Sequence, residues 1–340
     1  MKEESKLDRA KNVAKEFNKA QGKILIKSAS DVGARRLLSF GVEGLDTLTN
    51  GGIQYGVTTV IYGEEAIGKT TLALKLITQA QKENKICLYA DIERSFSGAW
   101  AKKQGVNLDT LIYGAFYYAE QPLDAIIKFA KNEAVDVIVI DSIQGLSPLR
   151  EQIKKKVQEK SVADDSMGLL PAKLSQFFRM AIPYVSDAKI ALIMIGQVRT
   201  GIGDFIPLDK LTGGHALKHN SRLTLRVRRG QKADAPVETI VDDDGMKHHI
   251  QFGFDMVVRV DKQQREGIRE LDEVHLPFYF GQGFSVLEDE EIVSEETEQK
   301  VKQGLQEAKE GKLIPQEELE KEGLLDKPKK KRGRPKKEIK

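Results

Sequence analysis

Residues 63–71 read GEEAIGKTT, and this stretch limits the fold more than any other part of the chain. Before it lies the β-branched, apolar run TTVIY (58–62). After it, LALKLITQAQ puts Leu72, Leu74, Leu76 and Ile77 near helical spacing. The order strand, glycine turn, helix predicts a βα unit of an α/β protein. Gly63-x-x-x-x-Gly68-Lys69-Thr70 in that setting has the form of a phosphate-binding loop. The backbone N–H groups of Glu64, Glu65, Ala66 and Ile67 are placed to wrap a phosphate, and the helix start at Lys69, Thr70 and Thr71 adds its dipole. Lys69 then reaches the outer phosphates while the Thr70 hydroxyl holds Mg2+. A bare glycine-rich turn with an exposed lysine would lack the flanking strand and helix.

Such a loop needs a second oxygen ligand for the metal, expected at the end of a neighbouring strand. VDVIVIDS supplies it: five of the six residues 135–140 are apolar, as for a strand buried on both faces, and the run stops at Asp141. A helix-capping acid is the competing reading. A third apolar run, ICLYADIE, ends in Asp91 and Glu93. At the tip of a strand beside the loop, Glu93 is placed to orient and deprotonate an attacking water. Asp91 is left to the sheet edge or the metal shell.

The 340 residues are 40% hydrophobic, enough for a sizeable core. VDVIVI and IALIMI (190–195) are too short to span a bilayer, and the charged start MKEESKLDRAK has no apolar signal core, so export is not expected. The one cysteine, Cys87, excludes an internal disulfide and an all-cysteine metal site and points to a cytoplasmic home. Charge is uneven along the chain. Residues 327–340 hold nine Lys/Arg and one Glu, whereas the other 326 hold 45 basic and 50 acidic side chains. A polyanion would therefore be met by local basic surfaces. One such surface is RLTLRVRR, where Arg222, Thr224, Arg226 and Arg228 alternate with Leu223, Leu225 and Val227, predicting a strand with a wet basic face.

FGVEGLDTLTNGGIQYGVTTVIYGEEAIGKTTLALKLI, YADIERSFSGAWAKKQGV, VDVIVIDSIQGLSP, DDSMGLLPAKLSQFFR and GQVRTGIGDF…LTGGHALK occur in this order. Together they make the chain resemble the bacterial RecA recombinase family from about residue 7 to 285. The resemblance implies a RecA-type P-loop NTPase core at 37–285, with a mostly parallel twisted sheet flanked by helices. It further implies ATP and Mg2+ as cofactors and a DNA-dependent ATPase. That enzyme forms a homo-oligomeric filament on single-stranded DNA with ATP at the protomer interface. It pairs the strand with a homologous duplex and exchanges strands in recombination and repair, alongside single-strand-binding or loader proteins. A mediator or annealing ATPase without strand exchange, or a ring-forming helicase, shares the same core.

By position, the likeness gives Trp100 the adenine-stacking role, with a core tryptophan as the alternative, and puts Ser97 where the family has an adenine-contacting acid. Glu93 falls on the catalytic glutamate and Gln197 on the γ-phosphate sensor. Lys262, with Arg265 in reserve, falls near lysines that reach a neighbour's γ-phosphate. DNA contacts are implied in two loops, about 150–168 and 198–214. Met167 and Gly168 end the first, whose opening REQIKKKVQEK carries five Lys/Arg and two Glu. Arg199, Ile202, Phe205, Gly213 and Gly214 make up the second, and Arg179 joins the set. Solvated connectors remain the competing reading of both.

Residues 1–36 place Leu7, Ala10, Val13, Ala14 and Phe17 on one helical stripe before the strand-like KILIK. In the family this helix and strand dock on the next protomer; a helix that packs within its own chain is the alternative. Beyond the core, 286–326 form an acidic linker and a helix expected near 295–310. The basic tail 327–340 is expected to be disordered until bound. Within it, Arg332 and Arg334 of RGRPKK flank a glycine in the manner of an AT-hook for a narrow A·T minor groove; a non-specific DNA tether or a nuclear-localisation look-alike is the competing reading. Deleting 327–340 is expected to weaken duplex binding at least about tenfold at low salt while sparing single-strand-stimulated ATPase; equal duplex affinity in a filter-binding titration would refute the tail's role.

Overall fold

The computed structural model describes residues 5–149, 169–200, 209–211, 214–231, 235–241, 247–264 and 271–284. It divides into two compact units, residues 1–37 and 38–340.

The first unit contains helix α1 (Lys6–Gln21), opened by Ser5, whose hydroxyl accepts from the Asp8 amide, and closed by Gly22 in the left-handed conformation. None of its residues is buried, and Leu7, Val13 and Phe17 are 64%, 65% and 45% exposed. The segment KILIK is not a strand here. Asn18 takes the place of a sheet partner: its Oδ1 accepts from the amides of Leu25 and Ile26, and its Nδ2 donates to Ile26 O at 2.7 Å.

In the second unit, β1 (Leu37–Leu38) pairs with β2 (Ile53–Gln54), with α2 (Glu43–Leu48) between them in the chain. The strands that follow are β3 (Thr58–Gly63), β4 (Cys87–Asp91), β5 (Leu111–Ala115), β6 (Val137–Asp141), β7 (Ala191–Thr200), β8 (Asp209–Leu211), β9 (Ser221–Arg229), β10 (Val237–Val241), β11 (Lys247–Gln251), β12 (Gly253–Gln263) and β13 (Glu273–Tyr279). The helices are α3 (Lys69–Lys82), α4 (Gly98–Lys103), α5 (Glu120–Lys131), α6 (Leu169–Asp187) and α7 (Gly214–Asn220). Among the described residues the main sheet runs β13-β12-β9-β3-β7-β6-β4-β5, with β8 paired to β7. From β9 through β5 all pairings on this path are parallel, and β12 and β13 extend the sheet antiparallel.

Every residue of β3, β4 and β6 is buried, because the sheet carries a core on each face. Alternate side chains divide between those cores. Ile61, Val137, Val139 and Ile193 pack on the side of α3, with Leu72 and Leu76. Val60, Ile138, Ile140, Leu192 and Met194 pack on the other side with α5 and α6. Helix α5 presents Leu123, Ile126, Ile127 and Ala130, a stripe at i, i+3, i+4 and i+7.

Three sequence expectations need correction. The Asp141 strand is not next to the loop strand: β7 slots between β3 and β6, and β4 lies further out. The basic strand is not wet along one face. Because β9 is internal to the sheet, Thr224 is buried, Arg226 is half-buried, and Arg228 pairs with Glu273 at 3.1 Å. The second expected loop is partly a ladder, since Val198, Arg199 and Thr200 pair with Leu211, Lys210 and Asp209.

Gly63 ends β3, opposite Gln197 and Val227. A Cβ there would lie 2.0 Å from Val227 O, so close backbone approach explains this glycine. Gly63→Ala is expected to cost about 1–3 kcal/mol, read as a lower urea midpoint; an unchanged midpoint would contradict the packing.

Candidate functional site

Parallel strands place their C-terminal ends on one edge, and the site forms there. The loop leaving β3 passes through Ala66, a non-glycine at φ 54°, to Gly68 at φ 87°, which opens α3. A side chain on Gly68 would also strike the Phe278 ring at 2.7 Å. The turn faces a cavity of about 560 Å³ lined by, among others, Lys69, Thr70, Glu93, Asp141, Ser142 and Gln197.

Asp141 organises this cavity. Its Oδ2 accepts from Thr70 Oγ1 at 2.7 Å and from Tyr89 OH at 2.6 Å. Burial pushes its carboxyl above the ordinary range, against the two hydroxyl hydrogen bonds that favour the charged form. Lys69 is 8% exposed, and its Nζ donates to Glu64 O, turned back on its own loop. Burial lowers its pKa, with Asp141 and Glu93 acting in the other direction. Ser142 Oγ donates to Glu93 Oε1, fixing a carboxylate that is otherwise exposed. Gln144 Nε2 donates to Gln197 O at 3.0 Å, which steadies the end of β7.

The donor set fits Mg2+ with a triphosphate. A hydroxyl and a carboxylate are hard oxygen ligands, and Mg2+ takes one or two of these from protein and the remainder from phosphate and water. A buried carboxylate with a raised pKa is also one whose charge a cation would balance. Opposite it stand Lys69 and the amides of the glycine loop.

The structure thus brings together Lys69, Thr70, Asp141, Glu93 and Gln197, with Glu65, Ala66, Ile67, Gly68 and Thr71 also on the wall. Gly63 and Glu64 are not on the wall, although Glu64 O accepts from Lys69 Nζ. Trp100 does not line the cavity: it packs on the α3 core, half-buried, with Nε1 donating to Thr71 Oγ1 at 3.3 Å. Ser97 caps α4 by accepting from the Trp100 amide. Asp91 is withdrawn from any metal: 1% exposed, it accepts from the amides of Ser95 and Phe96 and from Tyr113 OH. Lys262 is spent elsewhere too, donating to the Lys218 and His219 carbonyls at the C-terminal end of α7, where a cation is favoured by the helix dipole. Arg179 is exposed on α6, and Gly214 begins α7. Of Arg199 only the backbone is described, while Met167, Gly168, Ile202, Phe205, Gly213, Arg265, Arg332 and Arg334 lie outside the described residues.

Ser142, Ile195 and Phe278 on the wall, and Tyr89 behind Asp141, are site residues that sequence reasoning missed. Ser142 directly follows Asp141. Tyr89 shares a sheet face with Asp91, and Asp91 is in register with Asp141, a signal readable only once β4 is known to pair with β6. Tyr89→Phe is expected to weaken binding of a magnesium nucleoside triphosphate about tenfold and to leave nucleotide binding in EDTA unchanged, as measured by calorimetry; equal losses in both would assign Tyr89 a purely structural part.

The family model for the RecA N-terminal domain matches residues 6–254. Strands β12 and β13 continue the same sheet past that boundary. The chain is 38% identical over 194 residues to Protein RecA of Marinobacter nauticus, which covers 56% of this chain and 54% of that protein. It is 36% identical over 222 residues to Protein RecA of Nautilia profundicola, covering 64% and 61%. It is also 36% identical over 223 residues to the mitochondrial DNA repair protein recA homolog of Dictyostelium discoideum, covering 64% and 48%. The matches thus span about half to three-fifths of the length of these curated relatives. With its glycine loop, buried aspartate and strand order in one arrangement, the chain belongs to the family of the RecA N-terminal domain.

Proposed function

We propose that this protein is an ATP- and Mg2+-dependent, DNA-stimulated ATPase. It assembles as a filament on single-stranded DNA and pairs that strand with a homologous duplex for exchange. The observation that carries the reading is the convergence of Lys69, Thr70, Asp141, Glu93 and Gln197 around one cavity at the C-terminal edge of the sheet. Family membership and the relatives' names, which speak of RecA and of DNA repair, point the same way.

Bound at Thr70 and Asp141, Mg2+ supplies charge neutralisation for the phosphates. The rest of the work falls to side chains. Lys69 leaves Glu64 O for the outer phosphates, and the loop amides hold the chain of phosphates in line. Glu93, held by the Ser142 hydroxyl, orients a water and takes its proton. Gln197 stands at the cavity wall on the strand that runs on into segment 198–214, so a change at the phosphate has a short covalent path to the proposed DNA-contacting residues. Lys262 is assigned to a neighbour's phosphate, a role that requires it to leave the α7 carbonyls on assembly. The exposed stripe of α1 and residues 24–26 serve as the protomer-docking segment. Among the described residues no helix is long and apolar enough to cross a membrane, and we place the activity in the cytoplasm.

Glu93→Gln is expected to lower DNA-stimulated phosphate release by a factor of about 10²–10⁴ while nucleotide still binds and filaments still form by electron microscopy. Lys69→Ala is expected to remove nucleotide-dependent filaments altogether. Wild-type strand exchange by the Lys69→Ala protein, or closed rings in place of filaments, would overturn the reading.

A further inference from the structure

A second, larger cavity of about 880 Å³ lies on the α3 side of the sheet, away from the phosphate loop. Lys75 and Lys82 of α3 are seven residues apart, hence on one side of that helix, and Lys103 at the end of α4 joins them in the wall. No acidic side chain lines this cavity among the described residues. None of the three ammonium groups makes a hydrogen bond or ion pair among the described residues, unlike that of Lys85, which pairs with Asp136 at 2.8 Å. Lys75 is half-buried, and burial together with the nearby Lys82 lowers its pKa. Three cations facing a partly desolvated space without an anion repel one another, and an anionic occupant would relieve that repulsion.

Phe280 and Phe284 add aromatic surface to the wall, and Gln104 Nε2 donates to Gln282 O at 2.9 Å, which ties the end of α4 to the 280–284 turn. Phe284 is the last described residue of the chain. Glu288 follows four residues later, within about 13 Å of extended chain. From there to 298 the sequence EDEEIVSEETE holds seven acids around Ile292 and Val293. The sequence that follows Phe284, itself in the cavity wall, therefore carries the negative charge that the wall lacks, together with two apolar side chains.

We infer that the acidic segment 288–298 docks intramolecularly in the lysine-lined cavity between α3, α4 and the 280–284 turn. This goes beyond the proposed ATPase and does not depend on it. The fit is of opposite charge, with Phe280 and Phe284 beside the lysines, so it weakens with salt.

Zero-length carbodiimide cross-linking of the full chain, using an equal mixture of ¹⁴N and ¹⁵N protein, tests the assignment. Cross-links from Glu288–Glu298 to Lys75, Lys82 or Lys103 are expected within single molecules, with yield falling about fivefold between 0.05 and 0.5 M NaCl. Mixed-isotope links would give the site to a second copy, and links confined to lysines of 327–340 would give the segment to the basic tail; either outcome overturns the inference, as does the absence of links. A second measurement leaves the core sequence untouched. Acetylation of Lys75, Lys82 and Lys103 under limiting reagent, read by mass spectrometry, is expected to rise about threefold or more in the E288Q/D289N/E290Q/E291Q protein, in proportion to the unmasked fraction. Equal reactivity in the two proteins refutes the docking.

Discussion

One buried carboxylate ties the site to the fold. Asp141 ends β6, accepts from Thr70 at the start of α3 and from Tyr89 on β4, and sits where water cannot stabilise its charge. The three elements that supply this cluster are joined in the sheet or cross it, so displacing any of them leaves a polar group buried without its partner. The glycine loop is constrained from the opposite side. Gly63 lies against the Val227 carbonyl and Gly68 against the Phe278 ring. The backbone of this edge is therefore crowded at both glycines, with no room for a side chain at either.

What was legible in the sequence was local. The strand, turn and helix from Thr58 to Lys82 declare themselves within 25 consecutive residues, and the apolar run ending at Asp141 has the composition of a strand covered on both faces. What was hidden depends on register between segments far apart in the chain. Nothing in ICLYAD says that Asp91 turns inward to hold two amides and a tyrosine hydroxyl while Glu93, two residues on, faces the cavity. The role of Tyr89 needs the β4–β6 pairing, and the interposed β7 needs the order of the whole sheet. The basic strand shows the same limit. Its alternation is real, but exposure is set by β3 and β12 on its two sides, which no count of arginines reveals.

Some assignments lean on resemblance more than on geometry, and the structure separates the two. Trp100 keeps its indole N–H on Thr71, next to the residue that would hold the metal, so its position relates to the nucleotide loop even though it is not on the cavity wall. Lys262 instead caps a short helix within its own chain. The part proposed for it in a neighbour's site would compete with that cap, so such a contact would be coupled to the placement of α7.

The Asn18 amide in the first unit has a wider implication. By bonding the main chain at Leu25 and Ile26, it fixes that stretch while Ile24, Leu25 and Ile26 keep their side chains exposed. A floppy peptide would surrender much of its freedom when captured by another surface. This one is tied down by a single side chain, so less conformational entropy would be lost if another surface captured its apolar side chains, and more of the contact energy would be left for affinity.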